Sequence, residues 1–93
     1  MAPRREVRLV VEGCPGAAGT VDWATSLSVE GMRLDRRLPV WPDSELALRL
    51  HLGDGREPVA LRAVVVAGGP GTAVRFVDVA VEGRARIAAY VRR

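Results

Sequence analysis

Apolar and polar residues alternate along most of this chain. Val7, Leu9 and Val11 fall on one face of an extended segment, with Glu6, Arg8, Val10 and Glu12 on the other. A period of two predicts a half-buried strand over about 5–12. A breaker-rich connection, Gly13 to Gly19, follows. Alternation resumes from about Thr20 to Leu27, with Val21, Trp23, Thr25 and Leu27 on one face and Asp22, Ala24, Ser26 and Ser28 opposite. The apolar set predicts Val21, Trp23 and Leu27 in the core and the two serines facing outward. Gly31 then closes a tight corner, and Met32 and Leu34 begin a short third strand over 31–35.

Further along, Leu38-Pro39-Val40-Trp41-Pro42 reads as a loop, with Trp41 expected as a lid on the core. Leu46, Leu48, Leu50 and Leu52 hold strict period two, which predicts a fourth strand over about 44–52. Gly53-Asp54-Gly55 marks a hairpin turn. A fifth strand is expected over about 58–67, a Gly/Pro turn at 68–71, and a sixth strand from Thr72 to Val77. From there Val81, Ala85, Ile87, Ala88 and Val91 recur near helical spacing. A helix over about 79–91 follows, with Asp78 at its N-cap position and arginines in its last turn. Six short strands and one terminal helix point to a mainly β fold, a small six-stranded antiparallel barrel whose helix packs over the fifth strand. The 93 residues fit one domain spanning 1–93.

Composition narrows the chemistry. Apolar residues make up 48% of the chain, enough for a core. Net charge is +3 and all fourteen cationic side chains are arginine. Guanidinium groups stay charged and present planar donor forks suited to phosphates and flat rings. Cys14 is the one cysteine and His51 the one histidine, too few for a disulfide or a structural zinc site. Cys14 is expected as an exposed loop thiol and His51 as a solvated side chain. No serine has a histidine partner in any motif and no carboxylates are paired in sequence, so catalysis is not expected. Few aromatics and a mild net charge argue against a nucleic-acid-binding barrel. No apolar run reaches membrane length, and the chain opens directly into a strand pattern, so a cytoplasmic protein is the expectation.

Two short motifs remain. Arg4-Arg5-Glu6-Val7-Arg8 has an Arg-x-x-x-Arg spacing, and Ser26-Leu27-Ser28-Val29-Glu30-Gly31 has a Ser-x-Ser-x-x-Gly spacing. In that order, ahead of an ending Ala73-Val74-Arg75-Phe76-Val77-Asp78 and a helix, the chain resembles the PilZ domain family, bacterial receptors for cyclic di-GMP. The resemblance implies a PilZ-like barrel with a mobile arginine-bearing arm over 1–8. It implies that Arg4 and Arg8 meet guanine edges and phosphates, and that Arg5 stacks on a base or adds a phosphate contact. Ser28 would bond near a phosphate or shape the turn, and Gly31 would keep the strand surface open. An unidentified protein effector would read the bound state. Ser26 stands where the family pattern has Asp or Asn, a shorter and weaker acceptor. The alternative is therefore a PilZ-like domain that does not bind cyclic di-GMP and acts through protein contacts.

Overall fold

A computed structural model describes residues 3–16, 21–66 and 69–93. Six strands run in chain order: β1 (Arg5–Glu12), β2 (Asp22–Leu27), β3 (Gly31–Leu34), β4 (Glu45–Leu50), β5 (Val59–Val66) and β6 (Thr72–Val79). They close into an antiparallel barrel in the order β1-β2-β3-β6-β5-β4. The helix α1 (Val81–Val91) follows. Closure rests on a short pairing of β1 with β4, Val11 opposite Leu50 and Glu12 opposite Arg49. His51 extends it by donating its backbone N–H to the Val10 carbonyl at 2.9 Å. A closed sheet leaves no long unpaired edge.

The core is aliphatic. Leu27, Leu34, Leu48, Leu50, Ile87 and Val11 are its largest fully buried side chains. Burying each contributes about 1.5–3 kcal/mol. The leucines of β4 point inward as their alternation predicts, and Met32 joins them. Ile87 brings α1 into the same cluster, so the helix plugs the barrel end where β5 begins and β6 ends. Gly83 lets it approach closely: a Cβ there would lie 2.8 Å from Cγ1 of Val59.

Several expectations fail. The phase of β2 is inverted: Asp22, Ala24 and Ser26 are buried, while Trp23 and Thr25 are half-exposed on the outer wall and Val21 is 56% exposed. Two interactions explain it. Asp22 is buried because Arg36 neutralises it, and Trp23 faces outward because Arg8 covers its ring at 4.5 Å. A register shift between Ala24 and Ser26 then lets Ser26, Leu27 and Ser28 all turn inward. Trp41 is not a lid: it is 83% exposed, and Leu38 fills the barrel end instead. Asp78 belongs to β6, so Ala80 occupies the N-cap without a side-chain bond. No basic residue lies in the last turn, Arg92 being the C-cap. The expected strand starts and ends at Thr20 and Ala67, and Gly68, lie outside the described residues.

The end opposite α1 is held by a polar cluster. Arg36 grips Asp22 with Nε to Oδ1 at 2.7 Å and Nη2 to Oδ2 at 3.0 Å, and donates to the Pro15 carbonyl at 2.8 Å. That guanidinium holds the Asp22 carboxyl below its ordinary range. The Cys14 thiol lies beside the same carboxylate. Burial first, then the Asp22 charge, push that thiol up to about 12. Cys14 is therefore half-buried against the core, not an exposed loop thiol. His51 is not merely solvated, since its ring shares a hydrogen bond with Glu12. Among the described residues, no helix is long and apolar enough to cross a membrane.

Candidate functional site

The β2–β3 corner shapes the candidate site. Its turn is closed by the Ser28 N–H donating to the Gly31 carbonyl at 2.9 Å. The Ser28 hydroxyl accepts the Glu30 N–H at 3.1 Å and donates to the same Gly31 carbonyl at 3.4 Å. A serine in this role satisfies turn backbone that would otherwise need water. The Glu30 carbonyl accepts the Phe76 N–H at 2.8 Å, which fastens the corner to β6. Gly31 is required by that contact. Its φ is ordinary, but a Cβ would strike the Val74 carbonyl oxygen and lie 3.2 Å from the Cα of Arg75. So the spacing Ser28-x-x-Gly31 has a local structural cause before any ligand is considered.

Arg4 crosses to this corner. Its Nη1 donates to the Ser26 hydroxyl at 2.9 Å. Arg4, Ser28 and Gly31 then line one open cavity of about 350 Å³ on the β3–β6 wall. The register sets Gly31 opposite Arg75 and Arg33 opposite Ala73, which brings Arg33 and Arg75 into the same cavity. Three guanidinium groups and one carboxylate, Glu30, thus surround it. Arg33 is steadied by donating to the Pro70 carbonyl at 2.7 Å. Such a lining favours a ligand carrying negative charge.

Two of the expected arginines are elsewhere. Arg5 starts β1, donates to the Tyr90 carbonyl at 2.9 Å and lies 5.0 Å from that ring's centre. It joins the start of the barrel to the end of α1. Arg8 lies within β1, stacked on Trp23, and does not line the cavity. Both stand inside β1, within the stretch expected as an arm. Neither Arg33 nor Arg75 falls within the Arg-x-x-x-Arg or the Ser-x-Ser-x-x-Gly motif. The signal that finds them is the pairing of β3 with β6, a contact between segments far apart in the chain.

A larger cavity of about 650 Å³ opens elsewhere, over β4 and β5. Its charged lining is Glu12, Arg49, Arg62 and Asp78, two of each sign. Arg49 pairs with Glu12 at 3.3 Å and Arg62 with Glu45 at 2.6 Å. With its charges balanced and its arginines already paired, it suits an anion less well than the smaller cavity does.

No protein-family model matches the chain, and no curated protein matches it. Among solved structures, the Bacillus subtilis inhibitor of motility (MotI/DgrA) superposes with a TM-score of 0.82 at 16% sequence identity. The match covers 99% of this chain and 48% of that one, so this chain spans about half of that protein's length. At that identity the likeness is one of fold. The fold is the PilZ-like six-stranded antiparallel barrel with a C-terminal helix.

Proposed function

We propose that this domain is a cyclic di-GMP receptor that passes second-messenger level to a protein partner, with no chemistry of its own. The observation that carries it is the convergence of Arg4, Arg33 and Arg75 on a cavity floored by the Ser28–Gly31 corner. Cyclic di-GMP carries two phosphates and two flat guanines. Guanidinium forks pair with phosphate oxygens and guanine edges and also stack on bases. The cavity volume falls within the usual range for small-molecule sites. The PilZ-like fold and the two motifs support the choice of ligand.

Arg4 is the residue that changes partners. In the free protein it is held by Ser26; with ligand bound it turns its donors to a phosphate. Arg5 and Arg8 would join only by leaving Tyr90 and Trp23. Ligand binding then reorders the start of β1 and is felt at the end of α1, because Arg5 bridges the two. A titration of the pure protein with cyclic di-GMP, with GTP as control, tests the reading: saturable binding of the dinucleotide alone supports it.

A second reading has its own observation. Arg4, Arg5 and Arg8 each already have an internal partner in Ser26, Tyr90 and Trp23. A serine at position 26 in place of Asp or Asn suits a barrel whose arginines serve structure. The domain would then be an interaction module that does not bind the dinucleotide. Normal function of an Arg4→Ala, Arg8→Ala double variant favours this second reading.

A further inference from the structure

Trp41 is the most conspicuous unpartnered apolar group among the described residues. It is 83% exposed on the loop between β3 and β4, at the barrel end away from α1. The loop does not leave it loose. Leu38, three residues earlier, is buried and donates its N–H to the Thr72 hydroxyl at 2.8 Å, and that hydroxyl donates to the Arg36 carbonyl at 3.0 Å. On the other side Asp43 donates its N–H to the Val65 carbonyl at 2.8 Å, and Ser44 donates to the Trp41 carbonyl at 3.1 Å. Asp43 holds φ at 70°, a left-handed conformation that costs energy in any residue with a Cβ. Pro39 and Pro42 flank the ring and restrict the backbone further. The chain therefore fixes a tryptophan in water beside half-buried Val40, and exposed Val66 shares a neighbouring cavity with Val40 and Arg37.

The charges on this loop are complementary to a copy of themselves. Arg37 and Asp43 lie on either side of Trp41 in sequence, and both are exposed. Among the described residues neither side chain makes a hydrogen bond or ion pair, and the two do not pair with each other. Arg37 lines a cavity of about 360 Å³ together with Trp41. A two-fold axis running between the Trp41 rings of two copies would let Arg37 of one copy meet Asp43 of the other, twice over, as a self-complementary contact requires. We infer that this face is a self-association surface, with Trp41 packed against its symmetry mate and Arg37 and Asp43 paired across the axis.

The patch is small. Each tryptophan can bury about 150–250 Å², whereas specific interfaces cover about 1,200–2,000 Å² in total. The contact is therefore a weak, concentration-dependent dimer. Val66 also lines the cavity that holds Arg4 and Arg75, so the dimer face borders the proposed ligand site without including its arginines.

Sedimentation equilibrium of the full chain at low salt, over about 10 µM to 1 mM, tests this without ligand. A reversible dimer is expected, weakened at least about tenfold by Trp41→Ala. Arg37→Asp and Asp43→Arg each weaken it, and the double swap restores it while melting temperatures confirm folding. A monomer throughout the range, or a dimer indifferent to Trp41→Ala or not rescued by the double swap, overturns the inference. Loss of cyclic di-GMP binding leaves this result unaffected, so the two proposals fail separately.

Discussion

Arg4 and Ser26 are joined by a single hydrogen bond of 2.9 Å, and that bond ties the start of the chain to the inward side of β2. Ser26 is only 9% exposed, so its hydroxyl has little water to fall back on. The bond orients Arg4 toward the cavity that Arg33 and Arg75 also line. Once Arg4 has turned to a phosphate, a carboxylate at position 26 would accept N–H groups from guanine, a stronger contact than a serine hydroxyl offers. Ser26→Asp is thus expected to tighten cyclic di-GMP binding about tenfold, the scale of one charged hydrogen bond. Calorimetry on both forms checks it, and unchanged or weaker binding by the variant contradicts this account of the position.

Arg75 should matter for the ligand and not for the fold. It is exposed on β6 opposite Gly31. Arg75→Ala is expected to weaken cyclic di-GMP binding at least about tenfold, with an unchanged melting temperature. A large loss of stability would mean that its role is structural.

Gly31 should matter for the fold first. A methyl group there meets the Val74 carbonyl, so β3 and β6 must move apart. Overpacking of this kind costs about 1–3 kcal/mol, and each kcal/mol lowers the melting temperature of a domain this size by about 4–8 °C. Thermal melting of Gly31→Ala by circular dichroism reads the effect. A variant as stable as the parent would show that the strands yield freely.

The Asp22–Arg36 pair makes a pH-dependent contribution. The folded carboxyl is held below its unfolded value, so its stabilising effect is fully present above the unfolded value, about pH 4. It is lost as pH falls through the lower folded value. Asp22→Asn should therefore melt several degrees below the parent at neutral pH, and the gap should shrink as pH falls below about 4. A gap that stays constant into acid would remove the ion pair from the explanation. The same cluster protects Cys14. With its thiol pushed up to about 12, alkylation by iodoacetamide at pH 8 should be far slower than for a free thiol, and unfolding in urea should abolish the protection.

Alternation in the sequence carried most of the barrel. The leucines of β4 are legible because Leu46, Leu48 and Leu50 repeat strictly and no polar residue competes. β2 was misread because Trp23 looks like core and Asp22 does not. Their partners, Arg8 and Arg36, are distant in sequence or beyond a turn, and they reverse both preferences. Trp41 was misread for a related reason: Leu38, three residues earlier, already fills that end of the barrel. In the candidate site, Arg4, Ser26, Ser28 and Gly31 were legible as motif positions, and the structure draws them to one corner. Arg33 and Arg75 were not, because their place depends on the β3–β6 register.

The most direct measurement compares cyclic di-GMP binding by the parent protein and by Arg4→Ala, using calorimetry with GTP as control and melting temperature as a check on folding. The account predicts saturable binding of the dinucleotide but not of GTP, reduced at least about tenfold in the variant while stability changes little. No binding by the parent, or equal binding by both, would contradict it.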